Sequence, residues 1–176
     1  PIQADVLRAF LARFAPNGLA PTSVLPSYGM AEATLAITFW DIAKEMKTDV
    51  LDLEAMRQGV ARPPEAGGVP AKTMELVACG RPFPGHELKI ADAVGRPLPE
   101  RHVGEICVKG PSVTRGYFGD REATEETFGG GWLRTGDLGY VAGGEVYICG
   151  RAKDLIIING KNYYPQDIEA VVSRAP

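Results

Sequence analysis

The stretch that most constrains the fold is Gly150–Glu169, which reads GRAKDLIIINGKNYYPQDIE. It contains a short apolar segment, Leu155–Ile158, followed by an Asn-Gly pair, two tyrosines and a proline. An apolar run before Asn-Gly is typical of a strand that ends in a tight turn. Pro165 suits the first position of a helix, because the backbone donor that proline lacks would be unpaired there anyway. The stretch therefore predicts a strand, a turn and a helix in that order.

Short segments with strand character fill the middle of the chain and are separated by turns rich in glycine and proline. Gly143-Gly144 separates two of them, which predicts a hairpin with a two-residue loop. Together with flanking helices they predict an α+β fold built mainly on a small distorted β-barrel or a curled antiparallel sheet. The predicted strands are Glu75–Ala78, Glu87–Ala91, Glu105–Lys109, Thr114–Phe118, Leu138–Val141 and Glu145–Ile148.

Two other segments have helical character. Ile2–Phe14 carries a stripe of apolar residues at helical spacing and is followed by Pro-Asn-Gly, a typical end of a helix. Asp49–Gln58 also places three apolar residues on one side at helical spacing. Ala61–Pro70, which is rich in proline and glycine, is interpreted as an irregular loop.

Composition excludes several classes of function. The chain has 176 residues, 45% of them hydrophobic, and a net charge of −3. Such a chain is long enough for one hydrophobic core. The negative charge and the lack of a basic stripe argue against nucleic-acid or anionic-membrane binding. No apolar run has membrane-spanning length, so we expect no membrane span, and no segment has the pattern of a signal peptide.

The three cysteines, Cys79, Cys107 and Cys149, are not spaced for pairing or for zinc, and the two histidines lie far from such a pattern. Two of the cysteines lie in apolar, strand-like runs. We therefore expect buried, reduced thiols, which favours a cytoplasmic location.

Asp137 stands between two glycines in TGDLG, at an expected junction of strand and turn. A carboxylate in this setting could accept two hydrogen bonds from a vicinal diol such as ribose. The competing interpretation is a turn in which Asp137 bonds its own backbone, which is the more frequent case for an isolated TGD.

Glu32 lies in PSYGMAEATL, Pro26–Leu35, where an aromatic residue and a glycine precede it. The glycine allows a flat ring such as adenine to approach the backbone, and the carboxylate could hold a hard divalent cation near phosphates. Taken alone, Glu32 would more often be a solvated acid.

With these three stretches in this order, the chain resembles the adenylate-forming superfamily of acyl-CoA synthetases, peptide-synthetase adenylation domains and luciferases. Gly80–Ile90, Gly104–Asp120 and Gly131–Gly139 support the resemblance, which runs from about Leu7 to the last residues. It implies the C-terminal part of a large AMP-binding domain over residues 1–150, then a hinge and the beginning of a small mobile domain over residues 151–176.

Within the superfamily, the chain is most similar to the fatty-acyl-AMP ligases. Ala31 stands where most relatives have threonine, and GKNYYPQDIE matches that family's form. The connection from Glu32 to Gly80 is long, which implies a family-type insertion around residues 41–75 that limits the domain movement needed for coenzyme A chemistry. A surface excursion without function is the alternative interpretation of this segment.

The resemblance implies ATP or AMP and Mg²⁺ as cofactors, and it assigns a role to each matching residue. Tyr28 would stack on adenine, and Gly29, Met30 and Ala31 would border the nucleotide. Glu32 would be the catalytic residue that holds Mg²⁺, Asp137 would bind the ribose, and Arg151 would contact ribose or phosphate. Lys153 would be the hinge, and Gly160, Lys161 and Asn162 would line the acceptor path. Trp132 and Tyr117 are expected to be core or barrel residues.

The implied activity is activation of a fatty acid as acyl-AMP and its transfer to an acyl carrier protein or a polyketide synthase carrier domain. The chain does not start with Met, and the phosphate loop and the late lysine of the family have no counterpart in it, so it is interpreted as a segment that is inactive alone. One alternative is an acyl-CoA synthetase that uses free coenzyme A. Another is a truncated module that binds nucleotide without catalysis.

Overall fold

The computed structural model describes residues 1–65 and 72–172. It shows an α+β chain whose paired strands are all antiparallel. The helices are α1 (Ala4–Phe14), α2 (Leu53–Arg57), α3 (Arg121–Phe128) and α4 (Pro165–Val172). The strands are β1 (Ser27–Tyr28), β2 (Thr38–Phe39), β3 (Thr48–Asp52), β4 (Thr73–Val77), β5 (Arg81–Pro82), β6 (Glu87–Ala91), β7 (Gly104–Lys109), β8 (Leu133–Ala142), β9 (Glu145–Arg151), β10 (Ile156–Ile158) and β11 (Lys161–Tyr163).

The main sheet has the order β6-β7-β8-β9, so each strand pairs with its neighbour in sequence. The prediction of a curled antiparallel sheet is confirmed. The alternative of a closed barrel is wrong for the described residues, in which β6 and β9 form opposite edges. Four strands are too few to close around a filled interior, since a barrel with room for its own side chains has about eight.

Both predicted tight turns are confirmed, and each joins a hairpin, although the second strand of the Asn159-Gly160 hairpin was not predicted. In the first, Ala142 pairs with Glu145 across Gly143-Gly144, whose φ angles are 61° and 78°. In the second, Ile158 pairs with Lys161 across Asn159-Gly160, whose φ angles are 51° and 74°. Positive φ at both loop positions matches the right-handed twist of the flanking strands. Helix α4 begins at Pro165, as predicted.

The predicted helix over Asp49–Gln58 is wrong in its first half. Residues Thr48–Asp52 form β3, which pairs with β4, and only Leu53–Arg57 is helical. Asp52 divides the two elements because its carboxylate accepts a hydrogen bond from the Ala55 amide at 2.7 Å and so caps α2. The loop expected over Ala61–Pro70 has no regular structure up to residue 65, and its remainder lies outside the described residues.

The predicted strand over Thr114–Phe118 is also wrong. This segment is a turn that leads into α3, and Asp120 caps the helix by accepting a hydrogen bond from the Ala123 amide at 2.9 Å. Gly116 has a φ of 148°, and no strand of the main sheet pairs with this segment. The capping signal of Asp120 decides the local structure here.

The core has two clusters, one on each side of β8. One is centred on Tyr140 and Tyr147, whose rings stack with centroids 4.9 Å apart. The other contains Tyr28, Ile106 and Leu133. All three cysteines are buried and none forms a disulfide, as expected. Cys149 lies in the first cluster and Cys79 in the second, where burial raises the pKa of Cys79 to about 11.

Candidate nucleotide-binding site

Asp137 lies inside β8, not at a turn. Its carboxylate accepts a hydrogen bond from the Tyr28 hydroxyl at Oδ2, at 2.8 Å, and its Oδ1 lies 2.8 Å from Nε of Arg151. Asp137 and Arg151 are direct partners in the β8–β9 ladder, which places their side chains together. The interpretation that Asp137 bonds its own backbone is therefore wrong for this carboxylate. Tyr28, Asp137 and Arg151, three predicted site residues, form one hydrogen-bonded group.

The charge of the Asp137 carboxylate is balanced within this group. Asp137 has only 10% of its side chain exposed, and the Arg151 guanidinium balances its charge. Burial raises the pKa of Tyr28 well above its ordinary value, and the charge of Asp137 acts in the same direction. Tyr28 therefore remains a donor at physiological pH. Because a carboxylate has about four acceptor positions, two remain for further donors such as a diol.

Tyr28 itself lies deeper than its predicted role requires. Only 8% of the residue is exposed, and its ring packs in the second core cluster. It lines an apolar cavity of about 240 Å³ together with Ile2, Cys79 and Ile148. Stacking of Tyr28 on adenine stays a prediction.

A larger cleft, of about 720 Å³, is lined by Arg151 of this group but not by Tyr28 or Asp137. It brings together Arg151 and the four consecutive residues Gly29, Met30, Ala31 and Glu32, which the sequence assigned to the nucleotide site. Its other wall is formed by residues to which the sequence analysis gave no role in binding: Glu105, Tyr117, Glu126, Thr127, Arg134, Thr135 and Gly136.

Gly29 is required by the close course of the backbone. A Cβ atom at this position would lie 1.6 Å from the carbonyl oxygen of Leu35, because the chain folds back and the Ile37 amide bonds the Tyr28 carbonyl at 2.8 Å. The short 3₁₀ helix Ala31–Ala33 is enclosed by this reversal. It presents Glu32 to the cleft.

Glu32 has a hydrogen-bond partner that the sequence did not indicate. The Tyr117 hydroxyl donates to Oε1 of Glu32 at 2.8 Å, across 85 positions of the chain. The expectation that Tyr117 is a core or barrel residue is wrong, since 38% of it is exposed. Trp132 is half-buried, and the ammonium groups of Lys89 and Lys109 lie 4.6 and 5.0 Å from its ring centre.

Glu32 would be a sufficient protein ligand for Mg²⁺ only if phosphate groups also coordinate the ion. Among residues 1–65 and 72–172, no three His, Cys, Asp or Glu side chains cluster as a metal site, so Glu32 would be a single protein ligand. Mg²⁺ usually keeps several waters and binds one or two carboxylates together with substrate phosphates. A carboxylate at the wall of an open cleft suits that arrangement.

Glu105 organises the wall opposite Glu32. Its Oε1 accepts a hydrogen bond from the Gly136 amide at 3.2 Å, and its Oε2 lies 2.5 Å from the Arg134 guanidinium. Gly136 has a φ of 69°, beside the irregular registers of β8. Strand alternation places Glu105 and Cys107 on one face of β7, but only the pairing of β7 with β8 shows that Glu105 reaches the glycine before Asp137.

The predicted acceptor-path residues lie in the β10–β11 hairpin, apart from the cleft. Lys161 pairs with Glu54 of α2 at 2.5 Å, and the Arg57 guanidinium lies 4.7 Å from the Tyr163 ring centre. Gly160 forms the hairpin turn, and Asn162 pairs with Ile157 across the strands. Lys153 is exposed in the 3₁₀ helix Ala152–Asp154, between β9 and β10. The hairpin thus rests on α2, which belongs to the predicted insertion.

Known proteins resemble this chain in both sequence and fold. The family model described as "AMP-binding enzyme" matches residues 1–118. A Caulobacter vibrioides protein whose name assigns it provisionally to the acyl-CoA synthetases is 43% identical over 96% of this chain and 29% of its own. A long-chain-fatty-acid–AMP ligase of Mycobacterium tuberculosis is 39% identical over 97% of this chain and 31% of its own length. A medium-chain-fatty-acid–[acyl-carrier-protein] ligase of Moorena producens is 36% identical over 99% of this chain and 31% of its own length.

Among solved structures, one from a study of fatty acyl-adenylate ligases of E. coli and L. pneumophila superposes with a TM-score of 0.93 and 41% identity, over 100% of this chain and 32% of that one. The chain therefore belongs to the family of AMP-binding enzymes, and its fold is that of a segment of the adenylate-forming enzymes. It spans less than a third of the length of these curated relatives. Within residues 1–65 and 72–172, no helix combines the length and apolar character needed to cross a bilayer.

Proposed function

We propose that the protein containing this chain is a fatty-acyl-AMP ligase. It uses ATP to activate a fatty acid as acyl-AMP and passes the acyl group to the phosphopantetheine thiol of an acyl carrier protein or a polyketide synthase carrier domain. The observation that carries the proposal is the Tyr28–Asp137–Arg151 group beside a cleft that contains Glu32. The relatives' names support the fatty-acid substrate and the carrier acceptor.

In this proposal, the Asp137 carboxylate accepts hydrogen bonds from the two ribose hydroxyls at its remaining acceptor positions. Tyr28 and Arg151 hold the carboxylate in place. Arg151, half-exposed at the cleft, also faces ribose or phosphate oxygens. Gly29, Met30 and Ala31 present backbone to the flat base. Tyr28 lines the apolar cavity and not the cleft. Adenine could therefore stack on the Tyr28 ring only by entering that cavity.

The chemistry is a displacement at the α-phosphorus, in which the fatty carboxylate attacks and pyrophosphate leaves. Mg²⁺, when bound, supplies positive charge that offsets the charge on the leaving pyrophosphate. Glu32 would anchor the cation through one carboxylate oxygen. No side chain of this chain is needed as a nucleophile, since positioning and electrostatic stabilisation accelerate such reactions.

The choice of acceptor depends on the domain movement. We infer that Lys153 is the hinge and that the Glu54–Lys161 pair and the Arg57–Tyr163 contact hold the hairpin against the insertion. In the acceptor step Gly160, Lys161 and Asn162 would then line the route of the phosphopantetheine arm. Restraint of this kind disfavours free coenzyme A. The buried thiols favour a reducing compartment such as the cytoplasm.

A second candidate is an acyl-CoA synthetase, which the Caulobacter relative's name favours. The test is to incubate the full-length parent with ATP, Mg²⁺, a fatty acid and either free coenzyme A or a holo acyl carrier protein, and to identify the products by mass. Acyl-AMP and acyl-carrier product without acyl-CoA would support the proposal. Abundant acyl-CoA would assign the synthetase activity, and absence of any adenylate would leave a non-catalytic nucleotide-binding module.

A further inference from the structure

The contact between Tyr117 and Glu32 joins two cleft residues that are remote in sequence. The phenol donates to only one carboxylate oxygen, Oε1, at 2.8 Å. Among the residues that the structure describes, no hydrogen bond engages Oε2. The carboxylate is therefore held at one oxygen, and the other is available to a ligand in the cleft that Glu32 lines.

The Tyr117 phenol is held in position by the turn at Gly116 and by helix α3. The Tyr117 amide donates to the Thr124 hydroxyl at 2.9 Å, and that hydroxyl donates to the Asp120 carbonyl at 2.6 Å. The Tyr117 ring packs edge-on against Phe128 of α3, with centroids 5.6 Å apart. A Cβ atom at Gly116 would lie 2.4 Å from the Thr124 side chain, so the turn before Tyr117 requires glycine. Helix α3 thus holds the main chain of Tyr117 through Thr124 and its ring through Phe128.

The same segment also holds the backbone around Glu32. The Thr114 amide donates to the Glu32 carbonyl at 2.8 Å, and the Thr34 hydroxyl donates to the Ser112 carbonyl at 3.0 Å. Thr34 has a φ of 68°, a conformation that few non-glycine residues adopt, and these bonds compensate for it. Residues 112–117 therefore restrain the Glu32 turn at its main chain as well as at its side chain.

A hydrogen bond to one carboxylate oxygen changes what the other oxygen can do. An exposed glutamate samples several rotamers, and ordering it to bind a cation costs conformational entropy. A donor that already fixes the carboxylate lowers that cost, which is the usual advantage of a preorganised ligand. Because the donor is a neutral phenol, it does not compete with a cation for charge.

We propose that Tyr117 is a positioning residue that orients the Glu32 carboxylate so that Oε2 binds the divalent cation of the metal–ATP substrate. The inference rests on the proposed function, because it concerns the metal role of Glu32. It adds a residue outside the Tyr28–Glu32 motif to the nucleotide site. It also gives α3 a function, namely to place a phenol at the metal side of the cleft.

The test uses the full-length parent with Mn²⁺ as the probe and a non-hydrolysable ATP analogue, with bound Mn²⁺ measured by electron paramagnetic resonance. We expect Tyr117→Phe to weaken nucleotide-dependent Mn²⁺ binding by about five- to tenfold at an unchanged melting temperature. The matched control is Phe118→Leu, which alters the adjacent, fully exposed ring and should change binding by less than about twofold. In a Glu32→Gln background, Tyr117→Phe should have no further effect, since the two changes act through one carboxylate.

Equal Mn²⁺ binding by wild type and Tyr117→Phe would overturn the inference while leaving the proposed function intact. So would weakened binding that comes with a lowered melting temperature or that persists in the Glu32→Gln background, because either would indicate a structural role. A wild-type parent that shows no nucleotide-dependent Mn²⁺ binding and makes no acyl-AMP would refute the proposed function itself, and the inference with it.

Discussion

The ammonium group of Lys161 lies 2.5 Å from the carboxylate of Glu54, and this pair joins the β10–β11 hairpin to helix α2. The residues are 107 positions apart in the chain. The hydrogen bond from Lys161 lowers the pKa of Glu54. Since both side chains are substantially exposed, the pair restrains the hairpin only weakly and acts together with the Arg57–Tyr163 contact.

The first prediction concerns acceptor choice. In the full-length parent, Glu54→Lys and Lys161→Glu should each increase acyl-CoA formation from free coenzyme A by about two- to fivefold, because like charges would release the hairpin from α2. The double exchange should return the rate toward that of wild type. The measurement is the ratio of acyl-CoA to acyl-carrier product by mass, with Lys109→Glu as a control on an equally exposed, paired lysine outside the insertion. An unchanged ratio in both single variants would argue against a restraining role for this pair.

The second prediction concerns the buried group at Asp137. Tyr28→Phe removes the hydroxyl that donates to Oδ2 but leaves the Arg151 contact, so it should reduce stability by about 1 kcal/mol and raise the KM for ATP more than it changes kcat. Asp137→Ala should cost more stability, about 1–3 kcal/mol, since it leaves the buried phenol without its acceptor. Denaturant unfolding and steady-state kinetics on the same preparations provide both values. A Tyr28→Phe variant that is equal to wild type in both measurements would show that the hydroxyl does not support Asp137.

The third prediction isolates a backbone requirement. A Cβ atom at Gly136 would meet no atom within 4 Å, so Gly136→Ala has room, but its φ of 69° is unfavourable for alanine. We expect a loss of about 1–2 kcal/mol in the free energy of unfolding. Gly129→Ala is the matched control because that position is equally open and has a negative φ of −58°. Comparable losses in both variants would mean that left-handed backbone at Gly136 contributes little.

The fourth prediction concerns acid stability. The hydrogen bond from Arg8 lowers the pKa of Glu75, which therefore binds a proton more readily in the unfolded chain than in the folded one. Its contribution to stability is complete above the ordinary glutamate value of 4.5 and is lost as the pH falls through the lower folded value. Glu75→Gln should therefore reduce stability at neutral pH and make the stability curve flatter below about pH 5. Urea unfolding between pH 3 and about pH 7 measures this, and a parallel decline of variant and wild type across the range would contradict it.

The predictions from sequence were most reliable where the cause of a structure is local. The Asn159-Gly160 turn, the Gly143-Gly144 hairpin and the start of α4 at Pro165 were predicted, because left-handed loop positions and the missing donor of proline act within a few residues. Asp49–Gln58 was misassigned because only two of its three apolar positions, Leu53 and Met56, lie in α2, whereas Val50 lies in β3 before the cap at Asp52. Thr114–Phe118 was misassigned because its β character was outweighed by the cap of the next helix.

The sequence by itself determined the family, the order of the motifs and the residues that face the cleft from Gly29 to Glu32, since glycine spacing and residue type carry that information locally. Only the tertiary structure decided which groups meet. It placed Tyr28 and Arg151 on either side of the Asp137 carboxylate, Tyr117 on Glu32, and Lys161 on Glu54. These contacts depend on strand register, the β8 irregularities and the direction of α3, which are set by burial of the whole sheet and not by any short stretch of residues.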